Sequence, residues 1–378
     1  MKDRVESVII DGVRTAMENK NGLLQGLHPV DLMAAPLKAL IKRNNITDTS
    51  IVEDVAIGCA FPEAAQGLNI ARQASIMAGI DFSAAAKTVN RFCGSSMDTI
   101  HDISRAIELG DIECGLAGGL ENMLGVPMGG FNPDYHPDLL DKNFYVSMPL
   151  TAENLAKKGN ISRGDQDAFA INSHLKALRA QKEGRFKNEI IGVEVNGCLI
   201  DKDNIPQIPD VAKIADLAPS SLADGTITPA SSSPISVGAS AVLLMSKFLA
   251  DKLHLKARAV IRGRAVVGCD PQEMGRGPLV AVPKALARAG LKMEQIDFIE
   301  LNEAFAAQSL YCIKEGHWDI NKINIYGGAI ALGHPLGCSG SRIIVTLLNI
   351  LEQNKGRFGL AVMCIGGGMG IATVIERV

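Results

Sequence analysis

The sequence predicts a layered α/β fold made of two similarly folded halves, with a loop-rich segment inserted between them. Three observations carry this prediction. Strand-like apolar runs alternate with helical spacing at both ends of the chain, the second half repeats landmarks of the first in the same order, and the middle loses both patterns. At 378 residues the chain exceeds the size at which one core stops growing, so more than one unit is expected.

In the first half, Ser7 to Ile10, Val55 to Gly58, Lys87 to Val89 and Glu113 to Ala117 are strand candidates. Met97, Ile100, Ile103 and Ile107 recur at helical spacing until Gly110, which predicts a helix opening just after Cys93. The second half supplies Ala257 to Val267, Asp297 to Leu301, Lys322 to Tyr326, Leu360 to Met363 and Ile371 to Glu376 as strands. The helix after Cys338 is almost wholly apolar from Ile343 to Leu351, so burial on all sides, between two sheets, is expected.

The repetition is specific. Ala35-Pro36-Leu37-Lys38-Ala39-Leu40 followed by a strand at Val55 matches Ala281-Val282-Pro283-Lys284-Ala285-Leu286 followed by a strand at Phe298, and Cys93-Gly94-Ser95-Ser96 matches Cys338-Ser339-Gly340-Ser341. The offset stays near about 245 residues. We expect residues 1–121, completed by about 235–250, to form the N-terminal half and 251–378 the C-terminal half.

Residues 122–234 are rich in Pro, Asp and Asn and show one clear helix, Arg163 to Glu183, starting after Ser162. Its scattered charges predict a surface-lying helix. So long an insertion is expected to bind substrate or cover a site, since loops carry function disproportionately.

Composition excludes several classes of function. A net charge of −3, from 38 basic and 41 acidic residues, offers no electrostatic case for nucleic acid or an anionic membrane. The eight cysteines have no CxxC spacing, which disfavours structural zinc and leaves them read as reduced thiols. The opening Met1-Lys2-Asp3-Arg4-Val5-Glu6 runs straight into a strand and no apolar run is long enough to span a bilayer, so a cytoplasmic location is expected.

Chemistry concentrates in four places. Cys93 stands where a helix N-terminus would favour its thiolate. Asn302-Glu303 follows a strand; its amide suits an oxyanion or a water, and helix capping is an equal alternative. His334, between Gly333 and Pro335, is placed to take a proton from a thiol. Cys364 precedes Gly366-Gly367-Gly368, whose backbone N–H groups suit an oxyanion hole or, more simply, a tight turn. Two exposed thiols with one imidazole fit a nucleophile and a proton carrier with a pKa near about 8.5.

Together, Asp11-Gly12-Val13-Arg14-Thr15, Asn90-Arg91-Phe92-Cys93-Gly94-Ser95-Ser96-Met97, Gly118-Gly119-Leu120-Glu121-Asn122-Met123, Asn302-Glu303-Ala304-Phe305, Gly333-His334-Pro335 and Cys364-Ile365-Gly366-Gly367-Gly368 resemble the thiolase family over nearly the whole chain. The likeness is greatest to its degradative 3-ketoacyl-CoA members. The resemblance implies a layered αβαβα fold and a ping-pong acyl transfer without a tightly bound cofactor, coenzyme A being the co-substrate. Cys93 would be the nucleophile, His334 its base and Cys364 the acid and base at the enolate. Asn302 would position a water, and the N–H groups of Cys93 and Gly366 would hold the tetrahedral adduct. Met148 and Ser233 are the matches for coenzyme A contacts. Pro149, Ala218, Ala230 and Val237 depart from the family pattern in the same region. The resemblance further implies a homodimer or higher oligomer and permits a complex with a multifunctional hydratase/dehydrogenase subunit. Other readings are a biosynthetic acetoacetyl-CoA thiolase and a non-catalytic acyl-binding subunit.

Overall fold

The structure, a computed structural model, describes residues 5–378. The expectation about the first four residues lies outside the described residues. Eleven strands are described: β1 Ser7–Arg14, β2 Asp54–Gly58, β3 Ala85–Val89, β4 Cys114–Asn122, β5 Val193–Val195, β6 Cys198–Ile200, β7 Val237–Ser246, β8 Ala259–Gly268, β9 Phe298–Leu301, β10 Phe358–Ile365 and β11 Met369–Arg377. The helices are α1 Pro29–Arg43, α2 Ile70–Met77, α3 Ser95–Leu109, α4 Pro137–Asp141, α5 Met148–Gly159, α6 Arg163–Lys182, α7 Val211–Ala215, α8 Lys247–Lys252, α9 Gly277–Ala289, α10 Ala306–Glu315, α11 Ala329–Leu332 and α12 Leu336–Gln353.

The two halves repeat one topology. The first orders its strands β3-β2-β4-β7-β1, the second β9-β10-β11-β8 read from its outer edge inward, and a short antiparallel contact of β1 with β8 joins them into one nine-stranded sheet. Three apolar cores make five layers of it. α1 and α2 cover one outer face, α9 and α10 the other, and α3 and α12 fill the middle. In that middle core, Met97, Ile100, Ile103 and Ile107 of α3 meet Ile343, Ile344, Leu347 and Leu348 of α12 between strands of both halves. The expected all-round burial of α12 is observed, with Ile343 to Leu351 at most 1% exposed. Small residues let these helices approach. A Cβ on Gly340 would overlap the backbone of Met97.

Two expectations need correction. Lys322 to Tyr326 is not a strand: only Ile323 bridges to Ile299, and Asn324 sits at φ 45°. Its side-chain amide accepts from the Leu301 N–H (2.9 Å) and donates to the Leu301 carbonyl (2.8 Å), replacing the backbone ladder there. The inserted segment holds more than one helix, since α4, α5 and α7 accompany α6. Met148 and Pro149 open α5, where the missing proline N–H has no intrahelical partner to lose. The helix α6 lies at the surface, as expected, with Asp165, Ala168, Leu175 and Arg179 exposed. Gln166, Ala170, Ser173, His174, Ala177 and Ala180 form one buried face, and because these residues are small or polar they leave no hydrophobic stripe in the sequence.

The insertion is tied back by a fully buried cluster at the end of β1. Arg14 Nε donates to Glu189 (2.7 Å), while Nη1 and Nη2 donate to Asp203 (2.6 and 2.9 Å). Glu189 also accepts from Thr346 and Asn349 of α12. Two carboxylates, one guanidinium and these donors satisfy one another in a site closed to water, the condition under which buried charge is tolerated.

Candidate active site

The loops beyond the ends of β3, β9 and β10 and the turn before α12 converge. Cys93 lies in a 3₁₀ turn, Phe92–Gly94, directly ahead of α3. The turn is drawn tight by Asn90 accepting from the Phe92 N–H (2.9 Å) and by Ser95 Oγ, which accepts from the Arg91 N–H and donates to the Phe92 carbonyl. Phe92 adopts φ 43°, a conformation costly for a side chain of its size and one that clusters at functional sites.

Cys93 is half-buried and packs with Ala60, Phe61, Met123 and Leu336. Its sulfur accepts from the backbone N–H groups of Gly366 and of Cys93 itself. These donors do not produce a thiolate. Burial outweighs them and pushes the thiol up to about 11, which corrects the expectation that the helix N-terminus would lower it: desolvation of a sulfur anion costs more here than the amides return.

Cys364 is the last residue but one of β10, and the glycines after Ile365 form the three-residue turn of the β10–β11 hairpin, where Ile365 pairs with Met369 and Gly367 and Gly368 take φ 77° and 80°. The plain reading of this run as a tight turn is met, and within that turn Gly366 offers its N–H to the Cys93 sulfur. Cys364 is only 1% exposed, so two exposed thiols is incorrect. Burial, then the neighbouring Cys93, holds its thiol well above the ordinary range, and the expected titration near neutrality is replaced by a thiol that keeps its proton.

His334 is 4% exposed and follows Gly333 at φ 89°. Its N–H donates to Ser236 Oγ (3.2 Å), its Nδ1 lies 2.6 Å from Ser339 Oγ, and its Nε2 lies 3.3 Å from Asn302 Nδ2. Burial and the nearby Arg342 push the imidazole down to about 3. Asn302 is thus no helix cap. Phe305 occupies that position for α10, and the Asn302 side chain goes to the histidine. Glu303 is held by Ser173 (2.7 Å), Asn324 (2.8 Å) and the Ile330 N–H (3.2 Å), bracing the loop that carries Asn302.

The two residues matched to coenzyme A border the same place. Met148 packs against the cluster around Cys364, and the Ser233 N–H donates to the Ala304 carbonyl (3.0 Å), two residues from Asn302. Among the described residues His334 Nε2 bonds Asn302 and not Cys93. A surface cavity of about 520 Å³ lies elsewhere, lined by Arg262, Arg264, Arg288, Glu6 and Glu108, and it contains no thiol or imidazole.

Two residues of the site escaped sequence reasoning. Glu121, buried with its carboxyl raised by desolvation, accepts from the N–H groups of Ala60, Phe61 and Gly337 and so links β4 to the neighbours of Cys93 and to α12. Ser339 contacts His334. The signal available for it was a hydroxyl five residues beyond a histidine, at a helix start.

Residues 7–248 match the family model described as Thiolase, N-terminal domain, and residues 255–377 match Thiolase, C-terminal domain. The chain belongs to the thiolase family. A relative named 3-ketoacyl-CoA thiolase from Serratia proteamaculans (strain 568) is 51% identical, covering 98% of this chain and 99% of its own. One of the same name from Shewanella denitrificans (strain OS217) is 50% identical, covering 99% and 100%. Among solved thiolase-fold structures, an acetyl-CoA acetyltransferase of Bacillus anthracis superposes with a TM-score of 0.91 at 32% identity, each chain covered fully. Among the described residues no helix is long and apolar enough to cross a membrane.

Proposed function

We propose that this thiolase-family acyltransferase cleaves 3-ketoacyl-CoA with coenzyme A, giving acetyl-CoA and an acyl-CoA shortened by two carbons, in the degradation of fatty acids. The observation that carries the reading is about 50% identity over the full length to relatives named 3-ketoacyl-CoA thiolase. The site's geometry supports a mechanism for it.

His334 Nε2 takes the proton of Cys93, and the sulfur attacks the keto carbon. The oxyanion forms beside the N–H groups of Gly366 and Cys93, which already point at the sulfur. The carbon–carbon bond then breaks, the keto carbon staying on Cys93 as a thioester and acetyl-CoA leaving as its enolate. Cys364 protonates that enolate; a buried thiol that keeps its proton suits this task. The thiol of a second coenzyme A gives its proton to the Cys364 thiolate and attacks the thioester, the shortened acyl-CoA leaves, and His334 returns its proton to the Cys93 sulfur, so that all three groups are back at rest. His334 and Asn302 serve the enolate oxygen, and Met148 and Ser233 contact the pantetheine arm. Coenzyme A is here a co-substrate, with no tightly bound cofactor.

We divide the chain into an N-terminal half, 1–121 completed by 235–250, an inserted segment, 122–234, that binds substrate, and a C-terminal half, 251–378. The place of β7 between β4 and β1 supports that division. We also place the protein in the cytoplasm as a homodimer or higher oligomer, able to join a hydratase/dehydrogenase subunit. β3 supports self-association, because it is an edge strand with one row of backbone groups unpaired.

The biosynthetic reading draws on the resemblance to the acetyl-CoA acetyltransferase structure, at lower identity. Comparing thiolysis of acetoacetyl-CoA with that of 3-ketohexadecanoyl-CoA separates the two. Faster turnover of the long substrate is expected, and turnover of acetoacetyl-CoA alone would overturn the degradative assignment.

A further inference from the structure

The imidazole of His334 is uncharged at neutral pH, because burial and Arg342 push its pKa down to about 3. The open question at such a residue is which nitrogen carries the single proton, since only a bare Nε2 accepts one from a thiol. The surroundings of Nδ1 answer it. Ser339, fully buried in the first turn of α12, directs its hydroxyl at the Pro335 carbonyl (2.9 Å), four residues earlier, a usual bond for a helical serine. With its proton on that carbonyl, Oγ accepts from His334 Nδ1 at 2.6 Å. On the far side Asn302 Nδ2, a donor without acceptor capacity, faces Nε2 at 3.3 Å. The chain therefore runs in one direction: Asn302 donates to Nε2, Nδ1–H donates to Ser339, and Ser339 donates to Pro335. The opposite tautomer requires the serine hydroxyl to turn from Pro335 and the Asn302 amide to flip, both in a site closed to solvent.

We infer that Ser339 is a positioning residue that fixes His334 as its Nδ1–H tautomer, leaving Nε2 free to act as the base. This rests on the reading of His334 as the base of Cys93. The same bond gains strength as the imidazole takes the thiol proton, because a charged Nδ1–H donor holds Ser339 more firmly than a neutral one. Ser339 thus fixes the ring before the reaction and steadies it afterwards, without touching substrate.

The test uses the full-length protein labelled with ¹⁵N-histidine, His334 being assigned by the signal lost in His334→Asn. Long-range ¹H–¹⁵N correlation at neutral pH should show a protonated Nδ1 and a bare Nε2. In Ser339→Ala the His334 signals should move toward the opposite tautomer or an average of both. kcat and the alkylation of Cys93 by iodoacetamide should then fall together by about tenfold to a hundredfold, part of what a positioned base supplies, with KM little changed. Ser339→Thr, which keeps the hydroxyl, should restore the tautomer and most of the rate. An Nε2–H tautomer in the wild-type protein would overturn the inference whatever the variants do, as would Ser339→Ala with unchanged tautomer and kcat. A His334→Asn protein that still alkylates and acylates Cys93 at the wild-type rate would instead remove the base assignment and leave the tautomer result standing.

Discussion

The backbone N–H of Ser341 donates to Ser96 Oγ at 2.9 Å, and the two residues, 245 positions apart, are counterparts in the repeated halves. The pseudo-symmetry of the chain thus meets at a hydrogen bond between α3 and α12, the helices that follow Cys93 and His334. The positions of Cys93 and His334 are set by where those two helices cross.

Gly340 neighbours this crossing, and its missing Cβ is what admits Met97. Gly340→Ala should therefore cost about 1–3 kcal/mol by overpacking against backbone that cannot turn aside. Urea denaturation reads the loss, and activity should fall further than stability alone requires. A variant as stable as the parent would show that the helices are not held at closest approach.

Cys93→Ala should abolish the covalent intermediate. Intact-protein mass spectrometry after adding a 3-ketoacyl-CoA without coenzyme A should show an acyl adduct on the wild-type enzyme that coenzyme A discharges, and none on the variant. A dischargeable adduct on the variant would move the nucleophile elsewhere.

Cys364→Ala divides the labour of the two thiols. Cleavage should slow by about a hundredfold or more, while iodoacetamide still modifies Cys93 at near the parental rate. Equal loss of both would mean that Cys364 supports the nucleophile and does not serve the enolate.

The pH dependence follows from two neutral partners. With Cys93 raised to about 11 and His334 lowered to about 3, neither is charged between those values. Alkylation of free Cys93 should rise about tenfold per pH unit from 7 toward 10. A plateau below pH 8 would reveal a standing thiolate–imidazolium pair.

The same imidazole makes the fold sensitive to acid. Unfolded, it binds its proton near 6.5; folded, only near 3. Stability present above 6.5 is therefore lost as pH falls through that window, because the unfolded chain binds the extra proton. The urea midpoint should be lower at pH 5 than at pH 7, and the part of the drop due to this group should vanish in His334→Asn.

The candidate positions Cys93, His334 and Cys364 stood out because each lies within two residues of a glycine, a signal Asn302 lacks, and α12 was legible because a helix apolar on every face has few places to go. The state of Cys93 was not. A sequence displays the helix start that would lower a thiol pKa, whereas the desolvation that raises it comes from Ala60, Phe61, Met123 and Leu336, assembled from three distant stretches. The buried face of α6 was hidden for a related reason, its contacts being made by alanines, a serine and a histidine that periodicity weighs lightly. Asn324 misled because its flanks, Ile323 and Ile325, suit a strand, while its side chain takes over the bonds a strand would have made.

The grip of Arg14 on Glu189 and Asp203 bears on the substrate-binding role proposed for the inserted segment. A segment moored through buried charge to the end of β1, with α12 holding the same carboxylate, does not swing open and shut as one piece, because release would strand ions in a dry interior. Under the substrate-binding role proposed for that segment, selection among acyl groups falls to side chains rotating within a frame that is set when the chain folds.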